Sequence, residues 1–204
     1  MDAVDWLFVV VVGAAAVAAI VWFVRRRSRP AATTAPDDII GDVNKPSADA
    51  LRALRNGDVV EYLGHNWFVR GRLDHDEHGY RWTDHMLDDA ETKRWLGIED
   101  DESFEVSLWH GVPLGAIEQG EVGDRDVIVD GVAYRLQERG TARFWSDGAT
   151  GTAAEGSAEY ADYRSKDGKL LGFERFGTHW EVSLGEVLQP WEITVYPGSD
   201  RPVP

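Results

Sequence analysis

The sequence predicts a mainly β protein: an internally duplicated antiparallel β-barrel or sandwich of about eight to ten strands, preceded by one transmembrane helix and one short helix. Three observations carry this expectation. The pentapeptide "FEVSL" at Phe104–Leu108 returns as "WEVSL" at Trp180–Leu184. Beyond Gly57 the apolar residues alternate with period two, and no sustained helical period appears. Near the N-terminus, the run "WLFVVVVGAAAVAAIVWFV" from Trp6 to Val24 carries no charge.

The uncharged run comes first. Its 19 residues, as a helix rising about 1.5 Å per residue, nearly match a hydrocarbon core of about 30 Å. Trp6 and Trp22 fall near its ends, where indole rings favour the membrane interface. Asp2 and Asp5 precede it, and Arg25, Arg26, Arg27 and Arg29 follow, which is the reverse of a cleaved signal peptide. Residues 1–29 are therefore read as a single-pass anchor with a basic stop. The N-terminus is expected outside the cell membrane, and the rest of the chain in the cytoplasm.

Residues 30–46 are rich in Pro, Ala, Thr and Asp and read as a flexible linker. "SADALRALRNG" then reads as a short helix, with Ser47 as its cap, Leu51 and Leu54 on one face, and Asn56-Gly57 as its stop. Residues 47–197 form the expected β domain, and 198–204 a tail. Within the domain, "WFVRGRL" and "YRWTDHM" alternate as half-buried strands do. Asp130-Gly131 and Asp167-Gly168 each sit between apolar runs, as hairpin turns do.

Two copies of a unit of about five strands are expected, over residues 57–113 and 125–197. Gly64 matches Gly131, and Gly71 matches Gly140. Trp82-Thr83-Asp84 matches Tyr160-Ala161-Asp162, "WLGIE" ending at Glu99 matches "LLGFE" ending at Glu174, and the pentapeptides follow in the same order. Copy two is longer near "SDGATGTAAEGS", which reads as a surface loop, and "GVPLGAIEQGEVGD" reads as a connector. Units this small hide little apolar surface alone. The two are expected to share one apolar centre, or to close into a barrel that removes free sheet edges, with Trp67, Trp82, Trp95, Trp180, Val106, Val182, Leu108 and Leu184 at matching, core-compatible positions.

"GDVVEYLGHNWFVRGRL…GYRWTDHML" followed by "AEYADYRSKDGKLLGFERF…WEVSLGEVLQPWEI" resembles the bacterial family known as domain of unknown function 4178, over residues 55–197. The resemblance carries no established activity and implies a membrane-associated partner. His85 stands where that family's pattern expects an aromatic residue.

Composition narrows the chemistry. The chain has no cysteine, which excludes disulfides, thiol catalysis and thiolate metal sites. The net charge is −15; residues 1–30 hold four arginines and two aspartates, so they carry +2 and residues 31–204 carry −17. Such a body repels nucleic acid and suits cationic partners. No cofactor fingerprint or phosphate loop is present, and no residue is assigned a catalytic role. His75 and His78, among Asp74, Asp76 and Glu77, are the candidate metal ligands. Asp84, Asp162, Glu99 and Glu174 are equivalent acids of the two copies, able to bind a polycation such as a polyamine if they face one another. Glu105 and Glu181 alternate with apolar neighbours and are expected to point outward. Trp109, on the face opposite Leu108, and Trp145 are the candidate partner contacts.

The functional expectation is a membrane-tethered, cytoplasm-facing interaction or accessory module that meets a membrane-associated protein and performs no catalysis. The alternatives are a ligand-binding or enzymatic barrel built on the paired acids, and a surface carbohydrate binder.

Overall fold

The computed structural model describes residues 48–198, Glu102 excepted. The expected anchor, its basic stop, the linker, the Ser47 cap and most of the tail lie outside those residues. Among the described residues no helix is long and apolar enough to cross a membrane.

The first element is a short helix, α1, Ala48–Arg52. Leu51 and Leu54 are buried, as their shared face required, and Gly57 at φ 91° turns the chain away. Strands β1 (Val59–Tyr62), β2 (His65–Glu77), β3 (Tyr80–Asp88), β4 (Lys93–Asp100) and β5 (Phe104–Val112) follow. Next come a 3-10 turn at Leu114–Ala116 and strand β6 (Ile117–Gln119). Then the whole series recurs. Strands β7 (Asp126–Val129), β8 (Val132–Gly148), β9 (Glu155–Ser165), β10 (Leu170–Arg175) and β11 (Glu181–Leu188) lead into a 3-10 turn at Pro190–Glu192 and β12 (Ile193–Tyr196).

All pairings are antiparallel. The sheet runs β12-β1-β2-β3-β4-β5-β11-β10-β9-β8-β7-β6, and a further β2–β8 pairing closes its middle eight strands into a barrel. The "GVPLGAIEQGEVGD" segment is thus no mere connector: its turn and β6 are the counterparts of the second turn and β12. The repeat has six strands, and the sixth is exchanged. β6 leaves copy one to pair with β7, and β12 leaves copy two to pair with β1.

The register shows the symmetry. On β5 and β11, Val106 stands opposite Leu188 and Val112 opposite Val182. Moving Val106 on by 76 positions, the shift that carries Phe104 to Trp180, and Leu188 back by the same number turns the first pair into the second. The residue facing its own counterpart is Trp109, opposite Gly185. A pseudo-twofold axis therefore passes through that pair.

Four of the five matched landmarks occupy equivalent places. The fifth does not. Gly140 stands opposite Tyr160 as His75 stands opposite Trp82, so the counterpart of Gly140 is His75 and not Gly71. The added residues of copy two are also more than a loop. They lengthen the β8–β9 hairpin beyond the counterpart of Glu77, and this extension, Arg143–Gly148, pairs with Gly71–Asp76 to close the barrel.

The expected common apolar centre is reduced to a small cluster, Leu73 of the first half with Phe144 and Ala158 of the second, against which Trp95 and Phe176 pack. Each half also has its own, larger core. One gathers Leu51, Leu54, Val60, Trp67, Val69, Leu87, Leu96, Ile98 and Val106 with Ile193 of β12. The other gathers Val127, Val129, Tyr134, Tyr163, Leu171, Phe173 and Val182 with Ile117 of β6. Val106 and Val182, flanked by the partly buried Leu108, Leu184 and Trp180, do serve as core, each in its own half. Trp82 and Trp95 line the barrel interior instead. Alternation decides this: a strand whose odd side chains meet a core on one face must send its even ones to the other. Here that other face looks into the barrel.

Candidate ligand cavity

The barrel encloses a cavity of about 90 Å³. β3 contributes Tyr80, Trp82 and Asp84, β4 Trp95, Gly97 and Glu99, and β5 Ser107 and Trp109. The second half supplies the counterparts Tyr160 and Asp162 on β9, Gly172 and Glu174 on β10, and Ser183 on β11, with Glu138 from β8. All four candidate acids, Asp84, Asp162, Glu99 and Glu174, therefore line one space. Five carboxylates face it, and no lysine or arginine is among the described residues lining it.

The glycines repeated in "WLGIE" and "LLGFE" make room for this lining. A Cβ on Gly97 would lie 2.7 Å from Ser107 Oγ and 3.1 Å from Asp84 Oδ1. On Gly172 it would lie 3.3 Å from Trp109 Cζ3 and 3.5 Å from Asp162 Oδ1. Each aspartate thus folds over a bare stretch of backbone, which is the usual reason for glycine within a strand. Trp109 does face away from Leu108, but into the cavity. Its indole N–H donates to Ser107 Oγ at 2.7 Å, and its ring lies against Gly185, whose Cβ would meet Cε3 at 2.5 Å. A second tryptophan on the axis would clash, so the twofold is broken there.

The two ends differ in their electrostatics. His75 is buried at 2% exposure, stacked on Trp82 at 4.7 Å between ring centroids, with Nε2 3.0 Å from Asp84 Oδ2. Burial acts to lower the His75 pKa, but the Asp84 carboxylate, with Glu174 and Asp74, outweighs it and leaves the pKa above its ordinary value. Glu174 moves up to about 7, first because burial strips its carboxylate of water and then because Asp84 repels its charge; His75 pulls the other way. Opposite His75, Glu77 reaches over Gly140, accepting bonds from the Tyr160 hydroxyl and, at 2.9 Å, from the Thr141 backbone N–H. Tyr80 donates its hydroxyl to Glu99 at 2.5 Å.

His75 and His78 do not form a pair. His75 belongs to β2 and points inward, whereas His78 sits in the exposed β2–β3 turn at φ 55°. Among the described residues no group of three or more His, Asp or Glu has a geometry able to hold a metal ion. Glu105 and Glu181 both turn away from the apolar cores; Glu181 is exposed, as expected, whereas Glu105 is half-buried. That direction is the cavity face of their strands: Glu105, in step with Ser107 and Trp109, lies 3.4 Å from Arg164. His85 lies on the opposite face from Asp84, buried, and its pKa falls to about 4 through burial and the nearby Arg72. Trp145 is exposed, with the Arg143 guanidinium 5.1 Å over its ring.

Sequence reasoning missed Trp109 as a cavity residue, and with it Glu138, Tyr80, Ser107 and Ser183. The serines were signalled by their recurrence in the two pentapeptides, and the site's openness by glycines in mid-strand.

The family model described as Domain of unknown function (DUF4178) matches residues 55–190. The chain belongs to the DUF4178 family. This DUF4178 chain is also 33% identical over 206 residues to uncharacterized proteins of Mycobacterium tuberculosis (Rv2597) and Mycobacterium bovis (Mb2628). The match covers 94% of this chain and 96% of each relative, so the likeness runs well beyond the residues matched by the DUF4178 model. No solved structure matches this DUF4178 protein.

Proposed function

We propose that the barrel binds a small organic cation, of which an amine or polyamine is the simplest class. One observation carries this reading: five carboxylates and the rings of Tyr80, Trp82, Trp95, Trp109 and Tyr160 share one interior space. Carboxylates supply charge, and ring faces add cation–π attraction that strengthens where water is excluded. The barrel built on paired acids, an alternative to the interaction module in the sequence reading, is here a binding module without catalysis. The N-terminal run is its anchor, holding it at the cytoplasmic side of the membrane within reach of a membrane-associated partner. Trp145, exposed beneath Arg143, is the contact residue kept from the interaction reading.

Calorimetry on the full-length chain tests the binding. Linear amines are expected to bind, and alcohols of matching chain length are not. The Asp84→Asn/Asp162→Asn double variant, which leaves both apolar cores untouched, is expected to lose the binding. Equal uptake of amines and alcohols, or amine binding unchanged in the double variant, would falsify the proposal.

A further inference from the structure

We infer that the cationic group this cavity is shaped for is a planar guanidinium, stacked on Trp109, in preference to a tetrahedral ammonium. The inference rests on the cation-binding reading above and adds the shape of the charged group to it.

Three glycines from three strands lie beneath one indole. A Cβ would approach Trp109 at Cε3 from Gly185 of β11, at Nε1 from Gly97 of β4 (3.3 Å) and at Cζ3 from Gly172 of β10 (3.3 Å). The ring therefore lies close along the barrel wall, against three stretches of bare backbone, and Trp109 also lines the cavity. Its indole N–H, donating to Ser107 Oγ at 2.7 Å, fixes the ring's rotation. The result is a rigid, flat floor spanning the pseudo-twofold axis.

A carboxylate stands at each end of this floor. Seen from the Cβ position of Gly97, Asp84 Oδ1 is 3.1 Å away and Trp109 Nε1 is 3.3 Å away, so the two atoms are no farther apart than those lengths together. From Gly172, Asp162 Oδ1 is 3.5 Å away and Trp109 Cζ3 is 3.3 Å away, with the same consequence at the other end. A cation resting on the indole can thus reach either carboxylate along its edge. A flat, delocalised cation with donors in its own plane uses both features at once: its face stacks on the ring while its N–H groups meet carboxylate oxygens in a fork. An ammonium is a compact point charge that gains nothing from flatness and is more strongly hydrated. The cavity of about 90 Å³ holds on the order of six to nine water-sized spheres, enough for a guanidinium with a short alkyl chain.

Butylguanidine and butylamine, titrated separately into the full-length chain by calorimetry, isolate the charged group at constant chain length. The guanidine is expected to bind about tenfold more tightly, the ratio that about 1.4 kcal/mol of stacking and forked bonding supplies. In Trp109→Leu the ratio is expected to fall towards one, while Trp109→Phe keeps part of it; circular dichroism confirms that both variants retain the sheet. If butylamine binds as tightly as butylguanidine, the guanidinium preference is wrong and cation binding stands. If neither binds, both readings fall together. A preference that survives Trp109→Leu in a folded variant removes the stacking floor from the explanation.

Discussion

Replacing Glu174 with glutamine should stabilise the protein, and only at neutral to alkaline pH. In the unfolded chain this carboxyl titrates near 4.5; in the folded barrel burial and the Asp84 charge lift it to about 7. Between those values the folded state holds a proton that the unfolded state has released. Stability must therefore fall as pH climbs through that window, with the whole penalty present above about pH 7. The interval from 4.5 to about 7 corresponds to roughly 3 kcal/mol at about 1.36 kcal/mol per pH unit. Water reaching Glu174 through the cavity reduces this, so a gain of about 1–3 kcal/mol is expected for Glu174→Gln at about pH 8. Urea denaturation of both proteins at about pH 5 and about pH 8 reads it: the midpoints should separate at the higher pH and converge at the lower. A variant that is less stable at about pH 8, or that differs equally at both pH values, refutes an ionised and poorly solvated carboxylate at this position.

Two further substitutions probe the scaffold. Leu63 occupies the left-handed region at φ 52° while 84% exposed, where its counterpart Asp130 has φ 48°; Leu63→Asn should therefore raise stability by about 1 kcal/mol, and an unchanged or lower thermal midpoint contradicts this. Ile193 is fully buried in the core of the first half although its strand follows the second; Ile193→Ala should cost about 2–5 kcal/mol in chemical denaturation, and a cost below about 1 kcal/mol would show that β12 is not integral to that core.

Much of the fold could be read from residue chemistry. Asp130-Gly131 and Asp167-Gly168 sit at hairpin turns because glycine supplies the positive φ these turns need, 72° at Gly131 and 86° at Gly168. The repeated pentapeptides mark equivalent strands because two copies with the same alternation must meet the same two environments. What alternation cannot say is what the second environment is. In "FEVSL" the polar positions read as solvent-facing, yet β5 has no bulk-solvent side along Ser107 and Trp109: one face meets an apolar core and the other an enclosed polar space. The same ambiguity placed Trp82 and Trp95 in a common core. β6 escaped notice because three residues carry too little alternation to register as a strand. The paired acids were visible as a pattern, Asp84 with Asp162 and Glu99 with Glu174. Their convergence on one cavity depended on barrel closure, which the lengthened β8–β9 hairpin supplies without any distinctive residue type.

The crossing-over of β6 and β12 makes the two halves mutually dependent. A lone six-stranded half would keep a vacant groove beside its first strand and a short strand projecting without a host. In the joined chain each half fills the other's groove by trading those strands, so neither core is complete without the other copy. The copies differ at the place where counterpart residues face each other. Trp109 and Gly185 stand there, one bulky and one bare, and the chamber beside them lacks the exact symmetry that two identical chains would enforce.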